Sequence, residues 1–298
     1  MATVSTTSPA LEKHPNLAPG LYLVATPIGT ARDITLRALD VIQHADILAA
    51  EDTRTARKLM AIYEIALSGR QLVSYHDGNG ARRRPVLLSE LNAGRRVCLI
   101  CEAGSPLIAD PGHKLVREAV AAGIAIHVVP GPCAAIAALS ISGLPTDRFL
   151  FAGFLPAKPQ ARARRLEELA DIQATLIFFE TARRLADSLR AICDILGGSR
   201  PTVVCREITK KFEEVWQGNA DELAARAAAE TPKGEIVILV DRTPVEYSRM
   251  ALEQDLTDLM SRLTFREAVE AAVHLHGARK RDIYRLALRM SGDEPARS

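Results

Sequence analysis

LYLVATPIG (residues 21–29), VCLICEAGSPLIADPG (97–112) and IHVVPGPCAAIAALS (126–140) share one form, a short apolar run that stops at proline and glycine. Buried strands of a parallel sheet read as continuous apolar runs, and the ligands of such sheets sit outside the carboxyl ends of the strands. Glycine lets a ligand approach the backbone closely. Proline sets the turn and removes a donor that would otherwise need a partner. Three such loops at comparable strand ends predict one crevice, built from all of them, that holds a cofactor.

Outward from these runs, strands and helices alternate. Strand 21–26 precedes a helix expected to begin near Asp33, with Ile34, Leu39 and Ile42 at near-helical spacing. Strand 45–50, helix 55–65, strand 71–75, helix 85–94, strand 96–101, helix 114–124 and strand 126–129 follow. This alternation implies a mainly parallel α/β sheet with right-handed crossovers. Residues 131–147 carry the chain to a second set, with strands at 149–155, 174–180, 201–208, 213–218 and 235–241 and helices at 163–172, 184–197 and 220–230. The strand EEVWQG is polar-flanked and close to its neighbour, so this sheet is expected to be mixed. Leu252, Leu256, Leu259 and Leu263 then mark a helix, and Thr264-Phe265-Arg266-Glu267 is a capping box opening a second, which Gly277 ends. ARKRDIYRLALRM (278–290) makes a third. The expectation is an α/β protein with two α/β domains (20–130 and 131–245), the cofactor cleft between them, and a small C-terminal helical module (246–298). Residues 1–19, rich in Ser, Thr and Pro, read as a disordered lead-in.

The whole-chain quantities fit a soluble enzyme. The 298 residues, 48% hydrophobic and 25% charged, are enough for two cores. A net charge of +2 excludes a global field for nucleic acid, so any basic surface is local. The five cysteines (Cys98, Cys101, Cys133, Cys193, Cys205) mostly lie in apolar runs and read as buried structural thiols. Cys98 and Cys101 have C-x-x-C spacing, but a strand period puts them on opposite faces. An odd count without a signal sequence points to a reducing cytoplasm. No apolar stretch approaches the roughly 20 residues of a membrane span, and no cluster has metal-ligand spacing.

LYLVATPIG, DITLRALDVIQHAD, EDTR, AGSPLIADPG, PGPCAAIAALSISGLPTDRFLFAGFLPAK, REITK and KGE together resemble the ribosomal RNA small subunit methyltransferase I branch of the tetrapyrrole methylase superfamily. The resemblance runs over roughly residues 20–290. It implies a homodimeric enzyme that uses S-adenosyl-L-methionine. The reaction it implies is 2′-O-methylation of a cytidine ribose in the decoding region of 16S ribosomal RNA, with the rRNA or the small ribosomal subunit as partner. In that reading the backbone of three loops holds the amino-acid end and the ribose of the cofactor. These are Thr26, Pro27 and Gly29; Ala103, Gly104, Ser105 and Pro106; and Gly131, Pro132 and Ala134. Phe178 or Phe179, beside Glu180 at a strand end, is placed to pack on the adenine. No G-x-G-x-x-G with an acidic residue about 20 positions later is present, which sets the chain apart from dinucleotide folds.

Each candidate side chain has a structural alternative. Glu51 and Asp52 follow an apolar strand, and Asp52 or Glu51 can orient the attacking hydroxyl while Arg54 clamps a phosphate. The alternative is a helix N-cap with an ion pair. His76 can relay a proton or be a loop histidine; the family reads His-Glu-His-Asn where this chain has His76-Asp77-Gly78-Asn79. Glu102 stands where the family has Asp, and Asp110 is read as a turn former. The family follows Glu180 with Ser-Pro-His-Arg, whereas Thr181-Ala182-Arg183-Arg184 stands here, with Arg183 as a replacement contact. Glu207 can act as base, with Arg206 and Lys210 on RNA phosphate; a structural ion pair is the alternative. Arg279, Lys280, Arg281 and Arg285 on the last helix are further RNA contacts, in an outline that echoes a helix-turn-helix. Two rivals remain: a methylase of a small tetrapyrrole or protein side chain, and a non-catalytic RNA-binding assembly factor.

Overall fold

The computed structural model describes residues 16–230, 232–242, 249–276 and 280–291. The first sheet contains β1 (Gly20–Val24), β2 (Ile47–Ala50), β3 (Gln71–Ser74), β4 (Arg96–Ile100) and β5 (Ile126–Val129). Their order is β3-β2-β4-β1-β5, with every neighbour parallel. The runs are apolar throughout because both faces are covered. Tyr22, Val24, Leu48, Cys98 and Ile100 pack with Val41 and Ile42 of α1 (Leu36–His44). Leu21, Ala49, Val97 and Leu99 pack on the other face with Leu87 of α3 (Gly80–Asn92) and Leu115 of α4 (His113–Ala121). The remaining helix of this half, α2, spans Thr53–Ile62.

This order creates a switch point. The chain leaves β1 toward β2 and leaves β4 toward β5, in opposite directions, so α1 and α4 cover opposite faces. The switch point therefore lies between β1 and β4, and it is at the carboxyl ends of such strands that ligands of open α/β sheets bind.

In the second half, α5 (Ala134–Ser142) leads to β6 (Phe149–Phe154), α6 (Pro159–Glu167), β7 (Thr175–Thr181) and α7 (Leu185–Leu196). Then come β8 (Pro201–Arg206), β9 (Glu214–Asn219), α8 (Ala220–Ala229) and β10 (Glu235–Val240). The sheet order is β6-β7-β10-β8-β9; β6 and β7 are parallel and the other pairs antiparallel, a mixed sheet as expected. Phe178, Val204, Trp216 and Ile238 pack under α6, α7 and α8. Ile177, Val203, Val237 and Leu239 face α5 and also Ile28, which arrives from the loop after β1. That shared core joins both sheets into one compact unit, Met1–Arg242.

Some boundaries move for identifiable reasons. The helix expected near Asp33 begins at Leu36, because Thr35 caps it by accepting from the Ala38 N–H at 3.1 Å; residues 31–33 form a separate 3₁₀ turn. Order begins before Gly20: Leu17 packs on the first core and the Ala18 carbonyl accepts from the Tyr22 hydroxyl at 2.7 Å. Residues 1–15 lie outside the described residues. Cys98 and Cys101 are both buried, and burial pushes the Cys98 thiol up to about 12 and the Cys101 thiol up as well.

The second unit is Thr243–Ser298. Its helices α9 (Arg249–Arg262), α10 (Phe265–His276) and α11 (Lys280–Ser291) close on Leu252, Leu256, Val269, Ile283 and Leu286. The capping box forms: Thr264 N–H donates to Glu267 Oε2 at 3.0 Å, and Glu267 N–H to Thr264 Oγ1 at 3.4 Å. Leu263 lies past the end of α9 and is exposed, so it is not part of that helix's apolar stripe. Gly277 lies outside the described residues. Among the described residues no helix is long and apolar enough to cross a membrane.

Candidate active site

The loops at the switch point are tied to one another. Thr26 and Gly104 exchange backbone hydrogen bonds of 2.9 and 3.0 Å, and the Ser105 hydroxyl donates to the Pro132 carbonyl at 3.0 Å. Gly104 has a φ of 81°, where an L side chain is strained. On this scaffold lies a cavity of about 330 Å³. The first half contributes Ile28, Ala103, Gly104, Ser105 and Ile108; the second contributes Ala134, Phe154, Phe179, Ile236 and Val237. Leu107 and Ala109, either side of Ile108, have φ of 74° and 64°. Non-glycine residues rarely adopt such angles, and they concentrate at ligand sites.

Of the residues expected to hold a cofactor, Ala103, Gly104, Ser105, Ala134, Phe179 and Glu180 line this cavity. Thr26 and Pro132 brace it through the bonds above, while Pro27, Pro106 and Gly131 do not line it. Of the two phenylalanines, Phe178 is wholly buried under the helices, and Phe179 lines the cavity. Ile28, Ile108, Phe154, Ile236 and Val237 were missed. They come from four separate segments in both halves, and only the packing of the two halves brings them together.

Glu180 lines the cavity with its backbone, not its carboxylate. That side chain is turned into the core, accepting from Thr181 N–H at 2.7 Å, Arg184 Nε at 2.7 Å and Ser188 Oγ at 2.6 Å. Gly29 also has another task. A Cβ there would lie 2.5 Å from Thr209 Oγ1 and 2.6 Å from Lys210 Cγ, so it admits the 207–210 loop of the second half. Thr30 N–H donates to Thr209 Oγ1 at 3.2 Å alongside.

Beside the cavity runs an open groove of about 540 Å³, lined by Glu51, Asp52, Arg54, Ser74, His76, Asp77 and Glu102 among others. Glu102 belongs to both walls, so groove and cavity adjoin there. A further basin of about 430 Å³ shares His76 and Asp77 with the groove and adds Tyr75, Arg84, His113 and Lys114.

The carboxylates of this region differ sharply. Asp52 caps α2, accepting from Arg54 N–H at 2.7 Å, and pairs with the Arg54 guanidinium, which holds its pKa down to about 2. Glu51 is half-buried, and burial together with Asp110, Glu102, Asp77 and Asp52 pushes its pKa up. Burial also raises Asp110, which meets the Cys101 thiol and belongs to the lining of the cavity.

Glu207 takes a φ of 50° and accepts from Lys210 Nζ at 2.8 Å and from Glu235 N–H at 3.0 Å. Lys210 holds its pKa down. Glu207 thus forms an ion pair with Lys210 at the rim of the second sheet. Lys210 also meets Glu235, and Arg206 meets Glu214 at 3.1 Å and the Lys233 carbonyl. Arg183 is exposed beside the cavity-lining Thr181, and Arg285 is exposed on α11. Arg279 lies outside the described residues, as do the side chains of Lys280 and Arg281.

The residues present fit S-adenosylmethionine. Apolar walls and Phe179 suit an adenine, backbone at the Gly104 turn admits a close ligand, and the carboxylates of Glu102 and Asp110 suit a cationic tail.

The sequence profile of the Tetrapyrrole (Corrin/Porphyrin) Methylases matches residues 20–224. The chain is 47% identical over 276 residues to ribosomal RNA small subunit methyltransferase I of Mesorhizobium japonicum, covering 92% of this chain and 93% of that one. It is 41% identical over 276 residues to the protein of the same name from Escherichia coli O157:H7, covering 91% and 96%. A cobalt precorrin-4 methyltransferase of cobalamin biosynthesis superposes with a TM-score of 0.56 at 16% identity, over 74% of this chain and 94% of its own. Uroporphyrin-III C-methyltransferase from Thermus thermophilus, complexed with S-adenosyl homocysteine, superposes with a TM-score of 0.51 at 22% identity, over 74% and 96%. At these identities the two structures establish a common fold.

Proposed function

The chain belongs to the tetrapyrrole methylase family and is an S-adenosylmethionine-dependent methyltransferase, and from that premise we propose that its substrate is small-subunit ribosomal RNA. The acceptor is the ribose 2′-hydroxyl of a cytidine in the decoding region. The relatives that match over nine-tenths of the chain carry the substrate in their name. The observation that carries the hydroxyl acceptor is the carboxylate-lined groove meeting the cofactor cavity at Glu102.

When bound, S-adenosylmethionine supplies a methyl on a sulfonium, reactive enough that the protein mainly has to position and polarise. The residues of this chain do the rest. Gly104 and Ser105 present backbone to the cofactor, and Phe179 packs on its adenine. A ribose hydroxyl is very weakly acidic, so its proton needs an acceptor in the transition state. Glu51 suits that role better than Asp52, because its surroundings raise its affinity for a proton while Arg54 lowers that of Asp52. His76, exposed on the groove wall, then passes the proton to solvent. Arg54 and Arg183 meet phosphates from the rims, and α11 adds Arg285. Arg206, Lys210 and Glu207 hold the 207–210 loop in place.

The protein works as a homodimer in the cytoplasm. In support of the dimer, α5 carries no charged residue, and Ile136 and Ile141 on its outer face are 46% and 43% exposed, as fits a helix with a second cover.

The test is methyl transfer from labelled S-adenosylmethionine to small subunits from cells lacking the protein, with nuclease mapping of the product. One 2′-O-methylated cytidine in the decoding region is expected. Tight cofactor binding without RNA labelling refutes the RNA substrate.

A further inference from the structure

A regular β6 would bury Phe154. Leu150 and Ala152 face the core under the helices, and simple alternation would carry Phe154 to the same side. The register slips instead: Phe151 pairs with Ile177, Gly153 with Phe178 and Phe154 with Phe179. Ala152 is the extra residue of a β-bulge, a device that re-aims the side chains after it. Gly153 takes a φ of 71°, and an added Cβ would meet nothing within 4 Å, so glycine serves the backbone angle and not a lack of space. As a result Phe151 and Phe154 both reach Phe179, with ring centroids 4.7 and 5.7 Å away. Phe154 ends 53% exposed on the wall of the cofactor cavity.

The ring planes decide what this aromatic wall can hold. Phe154 stands at 68° to Phe179. A flat base stacked on Phe179 lies parallel to it and is therefore steeply inclined to Phe154, so one base cannot stack on both. The cavity offers two separate aromatic faces, a half-buried one on Phe179 and an exposed one on Phe154. A cofactor with a single adenine uses one. Ile108, 39% exposed, adds a second apolar surface to the same cavity.

We propose that Phe154 is a stacking platform for a nucleobase of the RNA substrate, distinct from the ring that packs on the cofactor's adenine. The inference rests on the RNA-methylating reading above. Single-stranded bases stacked on aromatic side chains are the common currency of RNA recognition.

Phe154→Ala, Phe154→Leu and Phe154→Trp test it, with three readouts: affinity for S-adenosyl homocysteine by calorimetry, KM and kcat on small subunits, and binding of small subunits in the presence of S-adenosyl homocysteine. Loss of one base stack predicts a 5- to 150-fold rise in KM and in the subunit Kd for F154A, the equivalent of ~1–3 kcal/mol. Cofactor affinity stays within about 2-fold. F154L, which keeps an apolar side chain without a π-face, behaves like F154A, and F154W retains wild-type binding. Three results overturn the proposal: F154L behaving as wild type, cofactor affinity falling while subunit binding holds, or no change in any readout. Failure of wild-type protein to methylate subunits would instead sink the RNA reading, and the binding arm still decides the platform. Because Phe154 is exposed, all three variants should melt within a few degrees of wild type, which separates a binding effect from misfolding.

Discussion

Replacing Arg184 with Ala should cost the protein far more than an arginine at a surface loop would suggest. The Glu180 side chain is fully buried, and its carboxylate is satisfied by the Thr181 N–H, the Arg184 guanidinium and the Ser188 hydroxyl. Removing Arg184 leaves a buried charge held by two neutral donors. Breaking a buried pair from one side in this way costs roughly 3–5 kcal/mol. Glu180→Ala removes the charge itself and leaves one buried hydroxyl and one N–H short of a partner, about 1–3 kcal/mol. Arg184 is 25% exposed and can turn to water or keep its bond to the Leu155 carbonyl. The double variant should therefore cost little more than E180A, and the cycle should give a coupling close to the whole R184A loss, about 3–5 kcal/mol. Urea titration followed by tryptophan fluorescence reports on the correct unit, because the one tryptophan, Trp216, sits in the core that α7 covers. Additive losses for the two single variants would refute the network. So would E180A that keeps its stability and loses affinity for S-adenosyl homocysteine, since the carboxylate would then serve the cavity.

Other perturbations separate structural from chemical roles. Gly29→Ala drives a Cβ to within 2.5 Å of Thr209 Oγ1 and should destabilise the protein by about 1–3 kcal/mol in the same urea titration, without direct loss of a cofactor contact. Glu51 has a raised pKa in the folded state, so its stabilising contribution is present only when protonated and is lost as pH rises through that value. Glu51→Gln should accordingly raise stability near neutral pH, by under about 1 kcal/mol because solvent screens the half-exposed site, and the gain should vanish below about pH 4. The same variant should lose methyl transfer while binding S-adenosyl homocysteine normally; retained transfer would exclude Glu51 as proton acceptor. Thr264→Ala removes the cap of α10 and should lower the stability of the helical unit by about 0.5–2 kcal/mol, read by hydrogen exchange in α10.

What the sequence determined was whatever depends on local pattern. Apolar runs ending in Pro and Gly marked the strands and the loops of the crevice, since a strand buried on both faces must be apolar throughout. Thr264 and Glu267 announced their helix because a capping box lies within four residues. Side-chain roles were less legible. Asp52, Glu180 and Glu207 lie at strand ends and read as site carboxylates, yet Arg54, Arg184 with Ser188, and Lys210 claim them. Which partner claims a carboxylate depends on rotamers and on how neighbouring turns pack, and spacing records neither. Gly29 reads as a ligand turn, and only the arrival of residues 208–210, some 180 positions later, shows what it makes room for. The bulge at Ala152 leaves no mark stronger than one glycine, though it moves Phe154 from core to cavity. Local sequence sets the strands and turns, because their energies arise between near neighbours. The tertiary structure decides which charged and aromatic groups face the cofactor, because that rests on contacts between the two sheets.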